Sequence, residues 1–223
     1  ERVTVCAFGM GSPVAVIVLE ELAQLGVRTV LRAGTVMTLI PDALGELIVA
    51  RGAVRDEGTS RGYLPESFPA VPDSDLLFST LIALERLEIP HRVGLVASLD
   101  VFYGQMFARN AEQQPAVAAR LGELASRGVI AVDMETSAIL TAAHRLGVRA
   151  GSLCLGSVEG PGGLRLGEDR RVEREALLAE AALAAITAPE GDLERAVRLL
   201  GRSPATAQHR ASAGSDPATG EES

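Results

Sequence analysis

The chain has 223 residues and a formal net charge of −8; 47 % of it is hydrophobic and only 3 % aromatic. That length suits one α/β domain with an aliphatic core, and an acidic chain without a basic run excludes nucleic acid and anionic membrane as expected partners. All 21 basic residues are Arg, so neither a lysine Schiff base nor a Walker-type phosphate lysine is available.

Val3 to Phe8 reads as a strand, Gly9 to Pro13 as a turn and Val14 to Leu25 as a helix. Val27 to Ala33 and Leu47 to Val54 are the next strands. Leucines at helical spacing mark Asp73 to Leu87 as a helix, which Pro90 breaks. His91 to Ser98 is a strand, Ala116 to Ser126 a helix, Val129 to Val132 a strand, Thr136 to Leu146 a helix and Arg149 to Leu155 a strand. Amphipathic helices follow from Glu168 to Pro189 and from Leu193 to Leu200. Strands alternating with helices predict a single α/β domain over residues 1–202, with a largely parallel mixed central sheet flanked by helices. Residues 203–223 carry no hydrophobic period and read as a disordered tail.

Cys6 and Cys154 lie in apolar strand-like runs, where cysteine is expected to be a small buried hydrophobe rather than half of a secreted disulfide. No group of His, Cys, Asp and Glu has metal-ligand spacing, so no metal is expected. The three histidines make poor catalytic candidates, and the serines near Gly show no nucleophile elbow. No apolar run reaches transmembrane length and no signal peptide precedes Glu1, so a cytoplasmic protein is expected.

The chemistry concentrates in Gly128 to Leu140. A buried strand runs into Asp133-Met134-Glu135 and a helix opens at Thr136. Ligands of open α/β sheets sit at the carboxyl ends of strands, so both acids are expected where a substrate lies. The alternative is that Glu135 and Thr136 only complement the dipole of the next helix. Arg32, inside another apolar strand, needs a partner, because a buried unpaired cation is strongly disfavoured. An anionic ligand is one candidate; an internal pair with Glu46 or Asp56 is the other. Gly9-Met10-Gly11 after a strand is a weak dinucleotide signal, lacking the third glycine and an acid after the second strand. A purely structural turn is the alternative there.

Val132-Asp-Met-Glu-Thr-Ser-Ala138 resembles the Glu-Met-Glu segment of the nucleoside phosphorylase family, which includes uridine and purine nucleoside phosphorylases. The resemblance also runs through Val3 to Pro13, Leu31-Arg-Ala-Gly-Thr35, Gly52 to Ser60, Phe68 to Asp73 and Ser98 to Tyr103, ending near Val158. It implies that Arg32 and Thr35 bind phosphate, that Met10, Thr35, Met134 and Glu135 hold the ribose, and that Phe102, Gln105 and Asp133 meet the base. Arg32 and Glu135 are then the catalytic pair. Inorganic phosphate is implied as co-substrate, with no cofactor. A homodimer, or a ring of dimers with shared active sites, is implied as the assembly.

Several positions depart from the family pattern. Met37 stands where a second glycine is usual, and Phe107 where an arginine is expected two residues after Gln105, with Arg109 further along. The position of the purine enzymes' leaving-group acid is Val158, with Glu159 adjacent, which favours a pyrimidine. The family's earlier segment with a Gly-Asp-Pro-Gly-Arg loop is absent from this sequence, which is therefore expected to be a fragment or a protein that works without the loop. The expected reaction is phosphorolysis of a nucleoside, uridine preferred. A purine phosphorylase, a hydrolytic nucleosidase and an inactive nucleoside-binding relative are the alternatives. The phosphate role requires the Arg32 guanidinium to face the pocket of Glu135 and not to be neutralised already by an internal acid.

Overall fold

In the computed structural model, which describes residues 2–188, a sheet closed on itself carries helices around its outside. The elements run α1 (Ser12–Gln24), β1 (Thr29–Thr38), β2 (Leu47–Asp56), α2 (Ser74–Arg86), β3 (His91–Leu99), α3 (Gln114–Ser126), β4 (Val129–Asp133), α4 (Thr136–Leu146), β5 (Arg149–Glu159), β6 (Leu164–Arg165) and α5 (Glu168–Ile186). A 3-10 turn occupies Thr59–Gly62 and a single wide turn Phe102–Met106. The expected helix at 193–200, the domain end at 202 and the tail at 203–223 lie outside the described residues.

The strands follow one another in the order β1, β4, β3, β2, β5, and β1 also pairs with β5, so the five close into a barrel. The long ladders (β1 with β5, β2 with β3) and the β3–β4 pairing are parallel. Shorter antiparallel ladders join β1 to β4 and β2 to β5, while β6 folds back on β5 outside the ring. Alternation along each strand then sorts the side chains. Val36, Ile48, Ala50, Val96, Ala131 and Cys154 form an apolar cluster inside the barrel. Outward-facing Leu47, Val49, Leu153 and Leu155 pack on α2 and α5. Ala97, Leu99 and Val132 pack on α3 through Val117 and Leu121. The tight pair α1 and α4 covers the remaining side.

Local chemistry fixes the helix ends. Pro13 sits in the first turn of α1, where its missing N–H costs nothing, and starts that helix earlier than Val14. The Asp73 side chain accepts from Leu76 N at 3.0 Å and caps α2. Gly147, with φ 69°, closes α4 in the left-handed conformation that glycine adopts freely.

Two expectations fail at the N-terminus. Val3–Phe8 forms no strand, and residues 2–7 are exposed, Cys6 among them. A strand needs a partner edge and a face to bury, and residues 2–7 pair with no strand and bury no face. One edge of β1 is taken by β5, and the other meets β4 only at Met37 and Thr38; across the rest of that edge residues 5–10 border a cleft. Conversely β1 continues five residues past Ala33, so Gly34 and Thr35 lie within the strand. Among the described residues no helix is long and apolar enough to cross a membrane, and no group of His, Cys, Asp and Glu could hold a metal ion.

The cysteines check this arrangement. Burial pushes the Cys154 thiol above its ordinary range, against the pull of Arg32, and only a thiolate attacks a disulfide reagent. Ellman's reagent at pH 8 should therefore modify Cys6 rapidly and leave Cys154 unreacted until the protein is denatured. Two fast thiols in the native chain would contradict the barrel interior described here.

Candidate active site

Towards one end the barrel interior changes from apolar to polar. The β1–β5 register sets Arg32 opposite Ser152, and the β3–β4 register sets Ser98 opposite Asp133; all four are buried. The Arg32 side chain turns back over Gly34, where a Cβ would stand 2.9 Å from Nη1 and 3.1 Å from Nη2. A side chain at that position would displace the guanidinium.

The guanidinium faces the pocket of Glu135. Nη2 donates to Glu135 Oε2 at 2.5 Å and lies 3.3 Å from Asp133 Oδ2, while Nη1 donates to Cys154 Sγ and Nε has no partner. Burial alone would depress the guanidinium; the negative groups around it outweigh that and hold it above its ordinary range. Since burial keeps the Cys154 thiol protonated at neutral pH, the two carboxyl groups carry that balance. The first requirement for a phosphate role is therefore met and the second is not: the cation is already matched by internal acids. They are not Glu46 or Asp56, which pair with Arg92 and Arg120.

The two carboxyl groups are used differently. Asp133 Oδ1 accepts from Ser98 Oγ at 2.6 Å, and Oδ2 accepts from the Thr136 hydroxyl and, at 3.1 Å, from Thr136 N. With Glu135 N and Arg32 also near, its acceptor sites are filled. Asp133, expected to meet a base, does line the cleft, but its hydrogen bonds go to the frame, tying β4 and the start of α4 to β1 and β3. Glu135 Oε1 accepts from Gly11 N at 2.6 Å, and Ser12 Oγ donates to Met134 O at 2.7 Å. Gly11, at φ 102°, makes that approach possible. Of roughly four acceptor sites on a carboxylate, Glu135 has used two.

A cleft of about 750 Å³ opens above this floor. Met10, Thr35, Phe102, Met134 and Glu135 line it, with Arg32 at its base. Met10 and Thr35 are exposed in it. Phe102 belongs to an aromatic group, its ring 4.8 Å from Phe107 and 5.0 Å from Tyr103. Gln105 is not among the lining residues; its amide oxygen accepts from Val101 N within its own turn. Met37 lines the cleft and is buried, packing its side chain into the α3-side core and on Gly160. Val158 is on the cleft wall and is mostly buried. Reading the sequence by strands misses Ser98, Ser152 and Cys154 as partners of the charged cluster. Their signal, polar residues at alternating positions in otherwise apolar strands, becomes legible only with the register.

The Phosphorylase superfamily model matches residues 1–188. Guanosine phosphorylase from Halorubrum lacusprofundi is 34 % identical over 88 % of this chain and 73 % of its own length. Uridine phosphorylases from Treponema pallidum (34 % identical) and Escherichia coli (35 %) match 69 % and 67 % of this chain. The chain spans 60 % of the length of each of these two. A family match over nearly all the described residues, on a sheet that places the charged cluster in an open cleft, shows that the chain belongs to the Phosphorylase superfamily.

Proposed function

We propose that the chain carries out phosphorolysis of a nucleoside, with uridine as preferred substrate and inorganic phosphate as the sole co-substrate. The observation that carries this reading is Arg32, folded over Gly34 and hydrogen-bonded to Glu135 at the floor of a cleft with Phe102 on its wall. Ribose hydroxyls take the unused acceptor sites of Glu135, Met134 and Met10 pack on the sugar, and Phe102 stacks on the base. Phosphate binds at Arg32 and the Thr35 hydroxyl. One of its oxygens attacks C1′, the bond to the base nitrogen breaks with its electron pair, and ribose 1-phosphate and free base result. Positioning and charge neutralisation supply the rate.

Because Glu135 already occupies Arg32, phosphate must share the guanidinium with it, taking what Glu135 releases as it engages the sugar. That same pairing is the observation favouring a second reading, hydrolysis by water with no anion at Arg32. The guanosine phosphorylase relative favours a purine substrate as the alternative specificity. A second copy of the chain is proposed to complete the cleft, since exposed Val5, Met10, Tyr103 and Leu164 lie on or beside its lining segments.

Incubation with uridine, inosine or guanosine, with and without phosphate, tests the reaction. Phosphate-dependent release of uracil and ribose 1-phosphate is expected. Equal base release without phosphate gives the reaction to a nucleosidase, and preference for inosine or guanosine rejects the pyrimidine specificity. Thr35→Ala removes one hydrogen bond from an exposed residue, so it should raise the KM for phosphate about 3- to 10-fold without changing Tm. Gly34→Ala should displace the guanidinium and lower kcat/KM by about 100-fold or more, with circular dichroism unchanged. A fully active Gly34→Ala enzyme would remove Arg32 from the mechanism.

A further inference from the structure

The cleft contains a second cation that the reaction above does not use. β5 and β6 form a hairpin in which Val158 pairs with Arg165 and Glu159 with Leu164. Directly paired residues on antiparallel strands share a face, so Arg165 stands beside Val158, and both line the cleft with Phe102 and Phe107. The Arg165 guanidinium lies over the Phe107 ring, 5.3 Å from its centroid. Arg171, also on the cleft wall, is taken up by Glu168 and Glu175. Arg165 forms no ion pair among the described residues. Arg109 sits over Tyr103 instead and is not among the lining residues.

We propose that Arg165 is a specificity-determining residue that selects a dioxopyrimidine, such as the uracil ring, as the leaving base. This rests on the phosphorolysis reading and extends it. When the bond from C1′ breaks, the electron pair passes to the ring nitrogen, and in a dioxopyrimidine the charge spreads onto the carbonyl oxygens. A guanidinium held over an aromatic ring keeps its N–H donors free for such an oxygen, and a donor placed where charge develops lowers the barrier. Purines depart more readily with a proton delivered to the ring. Val158 has none to give, and alternation along β5 turns Glu159 to the opposite face from Val158; Glu159 is not among the lining residues. The base end of the cleft thus offers a cation and no acid from this hairpin.

The test compares Arg165→Gln with the wild type on uridine and on the ribosyl 2-pyrimidinone that lacks the 4-oxygen, with ribose 1-phosphate binding measured alongside. The wild type should favour uridine, and the variant should lose about 10- to 100-fold in kcat/KM on uridine, mostly in kcat. The analogue should change by less than about 3-fold, and ribose 1-phosphate binding and Tm should stay at wild-type values, since Arg165 is exposed. Wild-type uridine kinetics in the variant, or equal losses on both nucleosides, would overturn the proposal. Phosphate-dependent cleavage of purine nucleosides alone overturns it while leaving phosphorolysis intact. Absence of phosphate-dependent release from every nucleoside overturns both.

Discussion

One cation inside a barrel sets the rest of this structure in place. A guanidinium cannot stay in a closed sheet without compensation, and β1 carries Arg32 on its inward face. Compensation comes from Asp133 and Glu135, at the exit of β4 and the entry of α4. That choice fixes the β4–α4 junction against β1, and Ser98, Thr136 and Ser152 complete the hydrogen bonding around it. Gly34 supplies the space. A buried charge cluster of this kind is weak as a source of stability, because an apolar filling of equal volume does as well or better. Its return is a charged floor under an open cleft.

Asp133 and Glu135, two residues apart, divide the work. The strand-end position makes Asp133 face inward, where every acceptor site meets a donor from the frame. Glu135, one residue before α4, reaches the cleft with spare acceptor capacity and a direct bond to the cation. The Gly11 N–H fixes the other oxygen, so the turn before α1 and the start of α4 face the cleft as one unit. In the proposed reaction sugar and phosphate would therefore not be independent ligands: each would engage one partner of the same ion pair.

Much of this was legible in the sequence, and the failures share a cause. The helix Thr136–Leu146 has the bounds its pattern predicts, because an N-terminal acid, a continuous apolar run and Gly147 are all local signals. β2, β3 and β5 begin where alternation and apolar runs place them. Val3–Phe8 carries as good a strand pattern, but whether a strand forms depends on a free edge elsewhere, which no local window contains. The internal acids beside Arg32 are not the Glu46 or Asp56 of the alternative reading for the same reason: those are nearer in sequence, whereas Glu135 becomes a neighbour only when β1 closes the barrel. β6, with two residues, is too short to show a period. Arg165 carries no sequence signal for the same reason.

The charge layout of the cleft follows the charge movement of the proposed reaction. As the bond from C1′ lengthens, the sugar gains positive character and the base gains negative charge. In that reaction Glu135 would serve the sugar, Arg165 over Phe107 the base, and Arg32, bonded to Glu135, the incoming anion. Each group meets charge of opposite sign as it forms, and each is set on an element of the frame: Glu135 at the start of α4, Arg165 on the β5–β6 hairpin, Arg32 on β1. Such fixed charges act without reorganising at the moment of reaction, which is where an enzyme gains over water. A hydrolytic reaction would use the Glu135 and Arg165 ends equally well, so only the anion at Arg32 distinguishes the two chemistries. The strength of the Arg32–Glu135 bond relative to the phosphate contact therefore decides which nucleophile the cleft admits.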